Sequence, residues 1–145
     1  MSQKKYDCLK LENQLCFPLY ACSREIIKRY KPFLDEIGLT YTQYVTMMVI
    51  WEKEQISTKE LGTLLHLDSG TLTPVVKSLE GKGLISKERS GEDARHLIVT
   101  VTEKGTALKD DAVKIPEQMG ACLNIDPRDA QQLYELLYKV MGQWE

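Results

Sequence analysis

Between Ser57 and Val101 the spacing of apolar residues switches from a helical period to strict alternation, and few folds accommodate such a switch in so short a stretch. Ser57 or Thr58 is placed to cap a helix over residues 59–65, with Glu60 three residues after Ser57 as in a capping box. His66, Leu67 and Asp68 form a tight turn. Asp68 or Ser69 then caps a further helix reaching Glu80, stopped by Gly81 and Gly83. Residues 84–89 and 95–101 alternate, the second run rich in β-branched side chains, and residues 90–94 turn between them. Glu54-Gln55-Ile56-Ser57-Thr58 reads only as a short link before this helix. Helix, tight turn, helix and hairpin in that order predict a winged helix-turn-helix within a mainly α chain whose β-hairpin is the wing.

That arrangement has a use. A helix of about 12 residues fits the major groove, and its first turn offers short polar side chains and free backbone N–H groups to bases and phosphates. Here the first turn carries Ser69, Thr71 and Thr73, with Lys77 one turn later, while Leu72, Val75, Val76 and Leu79 face inward. Arg95 at the hairpin tip is placed to enter an adjacent minor groove. Hydroxyls capping an ordinary surface helix would look the same in isolation; the order of elements favours DNA. Net charge is −2, which does not advertise nucleic-acid binding. The segment from Glu103 onward holds 5 basic and 8 acidic residues, so the charges are partly segregated and the basic ones must gather on one surface.

The flanks are helical. Leu11, Leu15, Leu19, Cys22, Ile26 and Ile27 predict a long first helix over residues 11–34, interrupted by Pro18 and Pro32, with a kink near Gln14–Pro18. Thr40 or Thr42 caps a second helix whose core face uses Tyr44, Val45, Met48 and Val49. Thr102 opens a fifth, with Leu108, Ala112, Val113 and Ile115 inside it, before Pro116 bends or breaks it. Asp126 and Pro127 start a last helix striped by Leu133, Leu136, Leu137, Val140 and Met141. No apolar run is long enough to cross a bilayer, and residues 1–10 lack the apolar segment of a secretion signal. A cytosolic location is therefore expected, where disulfides are catalytic or sensory rather than structural. Cys8, Cys16, Cys22 and Cys122 form no CxxC pair and are not spaced with His66 or His96 as zinc ligands would be, so neither a metal nor another cofactor is expected.

The run Leu67-Asp68-Ser69-Gly70-Thr71-Leu72-Thr73-Pro74, followed by Gly83-Leu84-Ile85 and by residues 89–95, resembles the recognition helix and wing of MarR-type repressors, and the first of these runs is similar to the OhrR branch in particular. The resemblance extends from Leu11 to about Leu137. It implies a homodimer on a pseudo-palindromic double-stranded operator. Residues 8–37 and 103–145 would dimerise and residues 40–101 would form the DNA-binding lobe of a single domain. Asp93 would pair with Arg95 to shape the wing. Asn13-Gln14-Leu15-Cys16-Phe17-Pro18-Leu19-Tyr20-Ala21 resembles the sensing segment of that branch, with Cys16 at the reactive position. The signal implied is an organic hydroperoxide. Tyr30 and Tyr41 would hydrogen-bond the sulfur, and Tyr20 and Phe17 would wall the pocket.

Chemistry agrees in outline. Only the thiolate attacks a peroxide, and a cysteine inside a helix needs side-chain donors to hold its charge. Tyrosine hydroxyls serve while tolerating apolar surroundings. Cys22 lies six residues from Cys16 on one helix and points elsewhere; Cys8 is excluded likewise if the helix extends that far. Cys122 is read in the linker of residues 120–124 between the last two helices. The resemblance makes it the candidate that resolves a sulfenate into an intersubunit disulfide, a small thiol being the alternative. Three other functions share these features: a MarR-type regulator answering a non-covalent phenolic ligand, a broader thiol-based virulence regulator, and a thiol peroxidase. The last would need a cationic site, yet Arg24 stands two turns from Cys16.

Overall fold

The computed structural model describes residues 2–90 and 97–144. The chain divides into two compact units, Met1–Ile115 and Pro116–Glu145. After a single turn α1 (Ser2–Lys5), the first unit contains α2 (Cys16–Ile37), α3 (Tyr41–Lys53), β1 (Gln55–Ser57), α4 (Thr58–Leu65), α5 (Ser69–Gly81), β2 (Ile85–Arg89), β3 (Leu97–Val101), α6 (Glu103–Ala107) and α7 (Lys109–Ala112). Next is α8 (Ile115–Leu123), then α9 (Pro127–Met141). No helix among the described residues is long and apolar enough to cross a membrane.

Side-chain caps define most helix starts. Thr40 makes a full capping box with Gln43, Ser57 accepts from the Glu60 N–H, Asp68 from Thr71, Thr102 from Gly105 and Asp126 from Arg128. The turn between α4 and α5 hinges on His66, held left-handed at φ 55°. The core lies where α3, α4 and α5 meet the sheet: Met47, Ile50, Leu61, Leu79 and Val99 are fully buried. Leu72 and Val76 of α5 point into it. Gly105 sits where α6 crosses the base of the wing. A Cβ there would fall 2.1 Å from the Leu84 carbonyl oxygen, and its own carbonyl accepts from Trp51 Nε1 at 2.8 Å.

The expected fold class holds, with local corrections. The link at Gln55–Ser57 is a strand that pairs antiparallel with β3, Ile56 opposite Val99, giving the order β1-β3-β2. Three residues are too few to show a period. On α3 the buried face is Gln43, Tyr44, Thr46, Met47 and Ile50; Met48 is exposed and Val45 and Val49 are half-buried, so the face is rotated from the expected one. Thr46 is tolerated there because its hydroxyl donates to the Thr42 carbonyl at 2.7 Å.

The first helix begins at Cys16, not Leu11. Residues Asp7–Leu9 and Leu11–Asn13 are 3-10 turns, fixed by Asn13 Nδ2 donating to the Asp7 carbonyl and Gln14 Nε2 to those of Cys8 and Lys10. Pro18 explains the start. In the first turn its missing N–H is one of the four that have no intrahelical partner, and the residue four before it, Gln14, is extended at ψ 109°, outside the helix. The expected kink is replaced by a helix start, and the helix runs on through Pro32 to Gly38, left-handed at φ 70°. The expected fifth helix is segmented at Leu108 and again at Val113, while Pro116 sits in the first turn of α8 and starts a helix rather than breaking one.

Candidate functional site

On α5 the side chains separate by face. Leu72, Val76 and Leu79 are buried and Val75 half-buried, whereas Ser69, Gly70, Thr71, Thr73 and Lys77 are exposed. The Asp68 carboxylate accepts from the Thr71 N–H at 2.7 Å, and this bond, with the Thr71 hydroxyl, holds its carboxyl below the usual range. Thr73 donates its hydroxyl to the Ser69 carbonyl at 2.6 Å. Two of the three expected hydroxyls are therefore engaged within the helix, and must rotate to donate to a phosphate. Lys77 is exposed on the same face. The wing's β2 pairs with β3 from Ile85 opposite Val101 to Arg89 opposite Leu97, and Lys87 bridges to Glu80 at 3.4 Å. Asp93 and Arg95 lie outside the described residues.

Cys16 is the first residue of a 22-residue helix and is exposed. The expectation of a thiol inside a helix fails: Cys16 stands at the helix terminus. Phe17 and Tyr20 are also exposed, as are Leu15 and Leu19, so one chain presents an apolar strip around the thiol and not an enclosed crevice. Tyr20 sits one turn from Cys16 on the same side, and the Arg24 guanidinium lies 5.4 Å from its ring centre. A cleft of about 570 Å³ opens elsewhere, lined by Lys53, Ile56, Ser57, Lys59, Glu60, Thr63 and Leu64, without Cys16 or any tyrosine.

Tyr30 and Tyr41 are brought together, their ring centres 5.0 Å apart. Tyr44 completes the cluster at 5.9 Å from Tyr30 and 6.4 Å from Tyr41. Burial pushes all three phenols above their ordinary value, and neighbouring rings add to this for Tyr30 and Tyr44. Tyr44 was expected only as core; its place three residues after Tyr41 on one helix was the available signal. Cys16 stands fourteen residues before Tyr30 on the same helix. At 1.5 Å per residue that is about 21 Å, so the Tyr30 hydroxyl cannot touch the sulfur of its own chain.

Cys122 is exposed in the last turn of α8, not in a linker; the linker begins at Asn124, left-handed at φ 44°. On α9 no residue is buried, and Leu133, Tyr134, Leu136, Tyr138 and Val140 are exposed. Among the described residues no cluster of three or more His, Cys, Asp or Glu side chains could hold a metal.

Comparison with known proteins gives concordant results. The profile of the transcriptional regulator SarA/Rot family matches residues 28–112. The organic hydroperoxide resistance transcriptional regulator of Bacillus subtilis is 46% identical over 96% of this chain and 95% of its own length. Among solved structures, reduced AbfR bound to DNA is similar with a TM-score of 0.80 at 31% identity, covering 99% of both chains. AbfR, from Staphylococcus epidermidis, is also similar in its disulfide form, with a TM-score of 0.65 at 34% identity over 97% of this chain and 99% of that one.

Proposed function

The chain belongs to the MarR/SarA-type winged-helix transcriptional regulators, in their organic-hydroperoxide branch, and from that premise we propose that it is a homodimeric repressor released from its operator by oxidation of Cys16. The observation that carries this reading is the separation of Cys16 from Tyr30 along α2, together with the exposed strip of Phe17, Leu19 and Tyr20 beside the thiol. Each half of the sensor is incomplete in one chain. A second copy, related by a two-fold axis, supplies Tyr30 and Tyr41 to Cys16 and covers the apolar strip. The exposed apolar side chains of α9 favour the same assembly, since soluble monomers rarely leave such patches open.

The chemistry follows from that enclosure. Phenol hydroxyls of the second copy hydrogen-bond the Cys16 sulfur. The sulfur attacks the terminal oxygen of the hydroperoxide, an S–O bond forms, the O–O bond breaks, and the alkoxide leaves and takes up a proton as an alcohol. Cys16 is then a sulfenic acid. Cys122 of the second copy condenses with it, forming a disulfide and releasing water; a small thiol would give a mixed disulfide instead. Either product turns the two α5 helices out of register with successive major grooves. Ser69, Thr71, Thr73 and Lys77 meet the groove, with Asp93 and Arg95 shaping and extending the wing. The protein senses rather than turns over: Arg24, the first cation along the helix after Cys16, is stacked on Tyr20. It works in the cytoplasm, where thiols stay reduced until an oxidant arrives.

Operator binding measured by fluorescence anisotropy, before and after one equivalent of cumene hydroperoxide, tests the reading in wild type and Cys16→Ser. Release of the wild type alone is expected; equal release of both would favour a non-covalent ligand. Cys122→Ser is expected to give sulfenate or mixed disulfide without a covalent dimer on a non-reducing gel.

A further inference from the structure

Gln43 is a buried polar side chain, 7% exposed, whose amide is bonded to the cap of its own helix and to two residues at the C-terminal end of α5. Its Oε1 accepts from the Thr40 N–H at 3.0 Å and from Lys82 Nζ at 3.1 Å. Its Nε2 donates to Ser78 Oγ, on the recognition helix α5, at 2.9 Å. Lys82, immediately after α5, also donates to the carbonyl of Gly38, the residue that ends α2. Its own carbonyl accepts from Lys104 Nζ at 2.8 Å, at the start of α6. One small polar network thus ties the end of the sensor helix, the first turn of α3 and the recognition helix. The same first turn carries Tyr41, whose ring meets Tyr30.

We propose that Gln43 is the positioning residue through which the state of the Cys16 site reaches the recognition helix. The proposal rests on the oxidation reading above. Tyr41 and Gln43 stand two residues apart on one rigid helical turn, so a displacement imposed on Tyr41 is imposed on Gln43. An apolar contact at this place would slide; a buried amide held at both its oxygen and its nitrogen does not, because breaking the Ser78 bond takes from Nε2 the partner it has in the folded protein. Ser78 and Lys82 follow, and α5 moves as a body. Gln43 touches neither the thiol nor DNA, and acts only by holding these elements in register.

The test compares operator affinity before and after stoichiometric cumene hydroperoxide in wild type, Gln43→Leu, Ser78→Ala and Gln43→Glu, with Cys16 sulfenate or disulfide counted by intact mass in each sample. A merely structural role lowers reduced and oxidised affinities by the same factor. The expected result is a reduced-to-oxidised affinity ratio at least about fivefold smaller in Gln43→Leu and Ser78→Ala, at unchanged Cys16 oxidation, because coupling between sites is usually worth about that much or more. Gln43→Glu retains both acceptor contacts and can accept from the Ser78 hydroxyl, so its ratio stays near wild type. Should Gln43→Leu not fold, Ser78→Ala decides alone. An undiminished ratio in Ser78→Ala, where wild type is released, overturns the relay. A wild type whose Cys16 is fully oxidised and yet stays on the operator overturns the underlying reading, and the relay with it.

Discussion

Tyr30 on α2 meets Tyr41 at the start of α3 with their ring centres 5.0 Å apart, and the half-buried pair presents two phenols about 21 Å along the helix from Cys16. Replacing either by phenylalanine removes a hydroxyl donor and leaves the ring contact. Hydrogen bonds to a charged group contribute about 1.5–3 kcal/mol, so Tyr30→Phe and Tyr41→Phe are each expected to slow Cys16 oxidation by about tenfold or more. Reduced operator affinity should be unaffected. Time-resolved alkylation of the remaining thiol, read by mass spectrometry, measures the rate.

The same cluster sets an alkaline limit on stability. Burial holds the Tyr30 and Tyr41 phenols above their ordinary value of 10.0. Below that pH both folded and unfolded chains keep these protons. Above it the unfolded chain loses them first, so folding stability falls as pH rises through the range between the two values. Chemical denaturation at pH values on either side of about 10 should show this decline, and Tyr41→Phe should make it shallower.

Gly105 is required by contact rather than by backbone angle. A methyl there would lie 2.1 Å from the Leu84 carbonyl oxygen, a backbone atom that cannot withdraw without moving the wing, and 2.9 Å from Val101 Cγ2. Gly105→Ala is expected to cost about 1–3 kcal/mol or more, lowering the melting temperature by about 2–4 °C per kcal/mol. Circular dichroism melts of the reduced protein measure it. Operator affinity should fall as well, because β2 and β3 carry the wing.

Lys77 is exposed on α5, one turn beyond Thr73. Lys77→Ala is expected to weaken binding to operator and to unrelated duplex alike. The slope of log affinity against log salt should become shallower by about one per protomer contact removed. A salt titration with both duplexes checks it, and an unchanged slope would remove Lys77 from the interface.

Much of this architecture could be read from local signals. Ser57, Asp68, Thr102 and Asp126 announce helix starts because each cap is a bond to a residue two or three positions away. The wing is visible as alternation, and the buried side of α5 as a helical stripe. The start of α2 was not legible from spacing: Leu11, Leu15 and Leu19 repeat like a helix, but Pro18 and the amides of Asn13 and Gln14 hold the preceding segment in turns. That error hid the position of Cys16 at a helix terminus. Thr40 and Gln43 do form a capping-box signature, yet nothing local reveals that Gln43 also reaches Ser78, 35 residues away, or Lys82, 39 away. Such partners are set by packing of helices distant in sequence.

A mixed dimer tests the central claim, that each thiol is activated by the tyrosines of the other chain. One protomer carries Cys16→Ser with its tyrosines intact; the other keeps Cys16 but carries Tyr30→Phe and Tyr41→Phe. The rate of oxidation by cumene hydroperoxide is then measured for the single Cys16 in this assembly. The account predicts the wild-type rate, because the serine-bearing chain supplies both hydroxyls. A rate as slow as that of the homodimer bearing both phenylalanines would contradict it.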